Sequence, residues 1–228
     1  MVATLLPGDA RGQRFQRKEP PPVGRWYVVD REDGIVVRAF EREGHDLPLL
    51  RATGIVQAEP YAVAAVLGDA AELHRWMAFT AESRLLERRD RLHYRFYQRM
   101  GAPWPVSDRD VVLSVDVGVD TERGQLTARF RNVRDGRAPP VDGVVRMPRL
   151  SGRYELRALP HKRTRANLLI DANPGGSLPT WLVRATTRQL PLEMLQTLRQ
   201  RVAQVGQRYA RDVADFRARH GELQITAR

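Results

Sequence analysis

From residue 26 onward, apolar and polar positions alternate in short runs, the period of strands with one buried face. Residues 26–30 and 35–40 flank Asp33-Gly34, a two-residue hairpin signal. A third strand is expected within 49–57. The period then changes: Glu59-Pro60 opens a helical stretch through Leu67, with proline suited to the first turn. Asp69 is placed to cap a second short helix reaching about Arg75. A long β region follows. Strands are predicted over 84–88, 92–98, 110–119 and about 125–131, then a bent strand over 144–158 interrupted near Pro148, and a last one over 164–171. After Pro174-Gly175-Gly176 the pattern becomes helical. Leu195, Leu198, Val202, Val205 and Tyr209 advance by three or four and form one apolar stripe. Pro191 falls inside this pattern and is expected to kink or divide the helix.

The order is thus three strands, two short helices, about six antiparallel strands and one long C-terminal helix. A sheet this wide twists and cannot stay flat. Its apolar face needs a cover, and the amphipathic C-terminal helix supplies it. A curved sheet gripping a helix leaves room between them for an apolar site. The expected fold is α+β, a curved antiparallel sheet wrapped around a long C-terminal helix with an internal apolar cavity. Residues 1–23, with Pro20-Pro21-Pro22 and no apolar period, are expected to form a flexible tail. Residues 24–219 form one domain and 220–228 a second tail.

Composition narrows the function. The 228 residues contain no cysteine, which excludes disulfides, thiolate metal sites and a cysteine nucleophile. No N-terminal stretch has the form of a secretory signal, and no run approaches the length of a membrane span, so a cytoplasmic protein is expected. The net charge is +11, yet Lys18 and Lys162 are the only lysines and the arginines are spread along the chain. That distribution reads as a general solvated basic surface, with transient contact to an anionic membrane as its functional form. No nucleic-acid recognition motif is present, and nucleic acid is not an expected partner. The five histidines show no metal-ligand spacing, and neither a nucleophile elbow nor a phosphate loop occurs, so no metal or cofactor is expected.

Two segments carry a family resemblance. Trp104-Pro105-Val106-Ser107-Asp108-Arg109-Asp110-Val111-Val112 resembles the Trp-Pro…Arg-Asp segment at the start of a central strand in START (steroidogenic-acute-regulatory-related lipid-transfer) domains. Pro174-Gly175-Gly176-Ser177-Leu178-Pro179-Thr180-Trp181-Leu182-Val183 resembles that family's approach to its C-terminal helix, and residues 191–199 resemble the helix that follows. The likeness spans roughly residues 36–207. It implies the helix-grip fold and a tunnel for one hydrophobic ligand, with the C-terminal helix and adjacent loops as the lid. Some steroid-carrying members place an arginine six residues after the arginine of the Arg-Asp pair. Here that position is Val115, and the resemblance does not extend to sterol specificity.

The alternating faces nominate ligand-contacting residues: Tyr94, Phe96, Val111, Leu113, Val115, Phe130, Tyr154, Leu156, Leu182, Ala185 and Leu195. Simple core packing is the competing reading for each. Arg109 and Asp110 are neighbours on one strand and must face opposite ways. Arg109 either anchors a loop or holds a ligand head group through its planar fork. Trp104, between two prolines, either closes the cavity mouth or meets a membrane interface, and Trp181 near the lid carries similar alternatives. A monomer binding a lipid or other hydrophobic small molecule, without catalysis, is the leading expectation. A polyketide cyclase or aromatase using the same cavity is the alternative, and a carboxylate or histidine inside the cavity would favour it.

Overall fold

The computed structural model describes residues 23–45 and 47–225, without the side chains of Thr180, Trp181, Arg184 and Ala185. The expected tail thus lies almost wholly outside the described residues. Only its last residue, Val23, is seen, bridging Glu41. Ten strands form a single sheet: β1 (Trp26–Glu32), β2 (Ile35–Phe40), β3 (Leu49–Val56), β4 (Thr80–Arg88), β5 (His93–Met100), β6 (Arg109–Asp120), β7 (Gln125–Asn132), β8 (Val145–Arg146), β9 (Arg149–Leu159) and β10 (Arg163–Asn173). Their order is β1-β2-β3-β10-β9-β7-β6-β5-β4, antiparallel throughout, with β8 added in parallel to β6. Helix α1 (Pro60–Leu67) follows β3, and α2 (Thr180–Val205) and α3 (Ala210–His220) close the chain. This is the expected helix-grip arrangement.

Local chemistry explains most of these elements. Asp33 and Gly34 both have positive φ, 48° and 69°, as a type I′ hairpin turn requires. The edge strands β1 and β4 carry register irregularities, which increase local twist and blunt the open edges. On the inner face, Leu192, Leu195, Leu198 and Val202 of α2 join Ile35, Val37, Leu50 and Ala52 in one buried core. Helix α1 covers β7, β9 and β10, and α3 lies on α1 with Tyr61 and Phe216 stacked at 5.6 Å.

Three local expectations differ from the structure. The segment through Pro148 is two strands: β8 pairs with β6, and β9 starts after the proline, which has no N–H for a ladder. Asp69 caps nothing. Its carboxylate accepts the Tyr209 hydroxyl at 2.8 Å, and the short helix is a single 3-10 turn, Leu73–Arg75. Finally, α2 runs through Pro191 without dividing. The break comes at a 3-10 turn, Gly206–Tyr209, where glycine disfavours helix and the Tyr209–Asp69 bond holds the chain to the loop after α1. Beyond α3, the Gln224 N–H donates to the Thr121 carbonyl at 2.9 Å, so the final described residues lie along the β6–β7 turn.

The register also gathers charge that looks dispersed in the sequence. On the convex face Arg38 of β2 stands beside Arg51 of β3, and Arg153 of β9 beside Arg129 of β7. Leu169 of β10, paired with both Arg51 and Arg153, bridges the row. Of these four, only Arg153 has a carboxylate at ion-pair distance among the described residues, Glu155 at 2.6 Å. Elsewhere carboxylates are clamped. The Arg42 guanidinium, 2.7 Å away, holds Asp171 below its ordinary range, and Arg137 does the same to Glu87. Groups depressed in the folded state stabilise it above their unfolded value near 4 and lose that contribution as pH falls toward the folded value. The urea midpoint is therefore expected to hold steady from about pH 7 to about pH 5 and to decline below about pH 4, as followed by circular dichroism.

Candidate functional site

The inner face of the sheet and α2 enclose a cavity of about 240 Å³. Alternation sets its wall. Tyr94, Phe96, Gln98 and Met100 of β5 face inward, beside Arg109, Leu113 and Val115 of β6, with Phe130 of β7 and Tyr154 of β9 beyond them. Leu182, Thr186, Gln189 and Met194 of α2 form the cover. The lining is completed by Leu50 of β3, Leu150 of β9, Ile170 and Ala172 of β10 and Leu67 of α1, and by loop and turn residues that include Leu73 and Met77, Phe79 and Pro103 at the rim, Met147 after β8, and Pro174 and Leu178 before α2.

Most of the residues nominated from the sequence meet here. Tyr94, Phe96, Arg109, Leu113, Val115, Phe130, Tyr154 and Leu182 all line the cavity. Val111, Leu156 and Leu195 do not; they are fully or nearly fully buried in the core. Alternation reports which face a residue occupies but not what covers it. Leu156 lies where α1 covers β9, and Leu195 belongs to the packed stripe of α2. The side chains of Trp181 and Ala185 lie outside the described residues. Gln98 was missed although it shares the inward face with Tyr94 and Phe96. The loop contributors carry no periodic signal.

The Arg-Asp pair divides as strand geometry demands. Asp110, 1% exposed, faces outward and takes both nitrogens of the Arg146 fork at 2.7 and 3.0 Å. Arg146 also reaches the Ala138 and Pro139 carbonyls, so Asp110 anchors β6 to the loop before β8. Arg109, 7% exposed, faces the cavity. Among the described residues its side chain makes one hydrogen bond, from a terminal nitrogen to the Ser107 carbonyl at 2.5 Å, and its Nε makes none. Burial lowers its pKa from the ordinary value.

Two buried phenols lie farther in. Tyr94 pairs in register with Val115, which also pairs with Phe130, and the Tyr154 ring lies 6.3 Å from Phe130. Burial pushes both phenols well above their usual value, so both keep their protons, and the Tyr154 hydroxyl has no partner. Arg109 is the charged group of the wall among the described residues, and the tyrosine, glutamine and threonine side chains beside it are neutral. No aspartate, glutamate or histidine lines the cavity among the described residues, and no metal-ligand cluster is found there. The wall therefore offers no ordinary proton acceptor of the kind an enolising cyclase needs.

At the rim, Phe79 has φ of 61°, uncommon for a bulky residue, and its carbonyl accepts the Gly101 N–H at 3.0 Å. Trp104 does not plug the opening. It is 91% exposed, one residue beyond the cavity-lining Pro103. No helix among the described residues is long and apolar enough to cross a membrane.

A curved antiparallel sheet closed by a C-terminal helix around an apolar hollow defines the helix-grip class. The START domain model matches residues 24–208, and the chain belongs to that family. It is 32% identical to a STAR-related lipid transfer protein from Xanthomonas axonopodis, covering 78% of this chain and 98% of that one with a TM-score of 0.71. An uncharacterized protein of Pseudomonas aeruginosa is 28% identical over 179 residues, 76% of this chain and 85% of its own length. Human StAR-related lipid transfer protein 5 shares the fold at 19% identity, with a TM-score of 0.68 over 79% of this chain and 88% of that one.

Proposed function

We propose that the protein is a cytoplasmic, monomeric carrier that holds one lipid or other hydrophobic small molecule in this cavity without transforming it. The observation that carries the reading is the wall itself, apolar on nearly every side with a few polar side chains and no carboxylate or histidine among the described residues. Each methylene moved from water into such a wall contributes about 0.8 kcal/mol, so affinity needs no special chemistry. At about 240 Å³ the cavity falls just below the usual range of about 300–1,000 Å³ for small-molecule pockets. One chain or one compact ring system fits the closed form. A two-chain lipid requires α2 and the rim loops to move apart. Native mass spectrometry of the purified chain, followed by extraction of any bound lipid, tests the reading. A stoichiometric apolar adduct is expected. A delipidated protein that takes up nothing from a panel of fatty acids, sterols and phospholipids would overturn it.

Exchange is placed at the rim. An indole favours the membrane interface, and Trp104 is held out beside the opening with Phe79, itself 38% exposed. Replacing Trp104 by alanine is expected to lower cosedimentation with phosphatidylglycerol-containing vesicles several-fold while leaving the thermal midpoint unchanged, because the side chain packs against almost nothing. Equal vesicle binding by the two proteins would remove Trp104 from the docking surface.

A further inference from the structure

The carrier reading leaves open what kind of molecule is held, and the polar atoms of the cavity bear on that question. Several arginines of this protein have a buried Nε that makes no hydrogen bond among the described residues: Arg42, Arg51, Arg99, Arg109, Arg199, Arg201 and Arg217, though those of Arg99 and Arg217 lie at ion-pair distance from Glu82 and Glu222. In Arg42, Arg99, Arg201 and Arg217 another nitrogen of the same fork holds a carboxylate. Arg51 lies over the Trp26 ring at 4.3 Å, and Arg199 donates to the Asp33 carbonyl. Arg109 differs from all of these. It lines the cavity, is 7% exposed and has no carboxylate at ion-pair distance among the described residues. The adjacent Asp108 is engaged elsewhere, by Arg99 at 3.2 Å and by the Ala102 N–H at 3.0 Å. A guanidinium withdrawn from water into an apolar wall, with one carbonyl for company, is unfavourable unless an anion joins it.

The second orphan is the Tyr154 hydroxyl, and it lies at the other end. Arg109 begins β6, next to the rim residues Met100 and Gly101 through its pairing with Met100. Tyr154 lies near Phe130, which pairs with Val115. Six residues of strand separate Arg109 from Val115, about 20 Å at roughly 3.3 Å per residue. The lining thus places a cation near the opening and, toward the far end of β6, a donor with no hydrogen bond among the described residues. Gly176 helps define the cationic end: a side-chain carbon there would stand 4.0 Å from an Arg109 terminal nitrogen, so the turn leading into α2 passes directly over the guanidinium.

Resting on the carrier reading, we infer that the ligand is an elongated single-chain amphiphile with an anionic carboxylate head at Arg109 and an acceptor oxygen at its far end that meets Tyr154. The carboxylate neutralises the buried guanidinium and accepts from its free Nε. The apolar body fills the hollow between Phe96, Leu113 and Val115. The phenol, kept protonated by burial, donates to the distal oxygen. The head then sits beneath the turn that leads into the lid helix.

The test is competitive displacement of a fluorescent fatty-acid probe from the delipidated full chain by hexadecanoic acid, hexadecan-1-ol and ω-hydroxyhexadecanoic acid. A charge-assisted hydrogen bond supports a preference of tenfold or more. The wild-type protein is expected to favour hexadecanoic acid over hexadecan-1-ol by at least that factor. Arg109→Met is expected to bind the two alike, and Arg109→Lys to retain part of the preference. The ω-hydroxy acid is expected to bind several-fold tighter than the plain acid, an advantage lost in Tyr154→Phe. Wild-type affinities for acid and alcohol within twofold of each other would overturn the inference even if no variant folds, as would a preference that survives Arg109→Met. That result leaves the carrier reading standing. Failure of every probe to bind, the neutral alcohol included, removes both.

Discussion

Replacing Asp110 by alanine is expected to destabilise the fold by about 3–5 kcal/mol, the range seen when one partner of a buried ion pair is deleted. Asp110 is 1% exposed and receives two hydrogen bonds from Arg146. Without it, a guanidinium only 29% exposed keeps just two carbonyl acceptors, Ala138 and Pro139. The loss reaches further, because Tyr97, fully packed behind the sheet with its phenol pushed up to about 12 by burial and by Asp110, also loses that neighbour. Urea unfolding should show a lowered midpoint with an unchanged slope, the signature of altered stability rather than altered compactness. Asp110→Asn retains an acceptor and the volume, and should lie between the two. A midpoint for the alanine variant within about 0.5 kcal/mol of wild type, the range of ordinary surface changes, would show that the pair does not hold β6 to the β8 loop.

The second large effect joins stability to ligand uptake. Gly152 on β9 has no room for a side chain: a carbon there would lie 2.1 Å from the Leu169 carbonyl oxygen and 2.6 Å from the Phe130 ring. The first contact is backbone and cannot be relieved by a rotamer change, and the second drives a cavity-lining ring into the hollow. Gly152→Ala is expected to cost about 3 kcal/mol, the upper part of the overpacking range, and to reduce probe binding at least tenfold. Gly118→Ala on β6 is the control. A carbon there meets only an Arg129 terminal nitrogen at 4.0 Å, and the lost freedom of the unfolded chain makes the change neutral or slightly stabilising. If both alanine variants bind and unfold alike, Gly152 is not shaping the wall.

Much of this architecture was legible because strand periodicity is a local property. Leu92, Tyr94 and Phe96 against His93, Arg95 and Tyr97 already describe a strand with one apolar face, and β5 has that face turned inward. The same rule placed Leu113, Val115, Phe130 and Tyr154 on the cavity side. What it could not supply was depth, and Val111 and Leu156 share the inward face without reaching the hollow. Nor could it see partners far away in sequence. Asp69 has the chemistry of a helix cap, yet the hydroxyl it accepts arrives from Tyr209, 140 residues later. Pro191 looked like the place where the last helix would divide, but a proline within a well-packed stripe is tolerated, and the turn falls at Gly206–Tyr209, where Tyr209 has that distant partner. Which arginines become neighbours was hidden for the same reason. Sequence separation hides the neighbours that an antiparallel register creates, and residues as far apart as Arg51 and Arg153 stand in one row only after β10 has paired with both β3 and β9.

That row governs how one molecule meets another. Neighbouring strands lie about 4.8 Å apart, closer than the screening length of about 8 Å at physiological salt. The guanidinium groups of Arg38 and Arg51, and those of Arg153 and Arg129, therefore act on an approaching body as two close pairs of charge, set apart by Leu169 of β10. Two copies arriving back to back bring these like charges face to face. Face-to-face stacking of sheets is thereby opposed by the very pairing that builds the sheet.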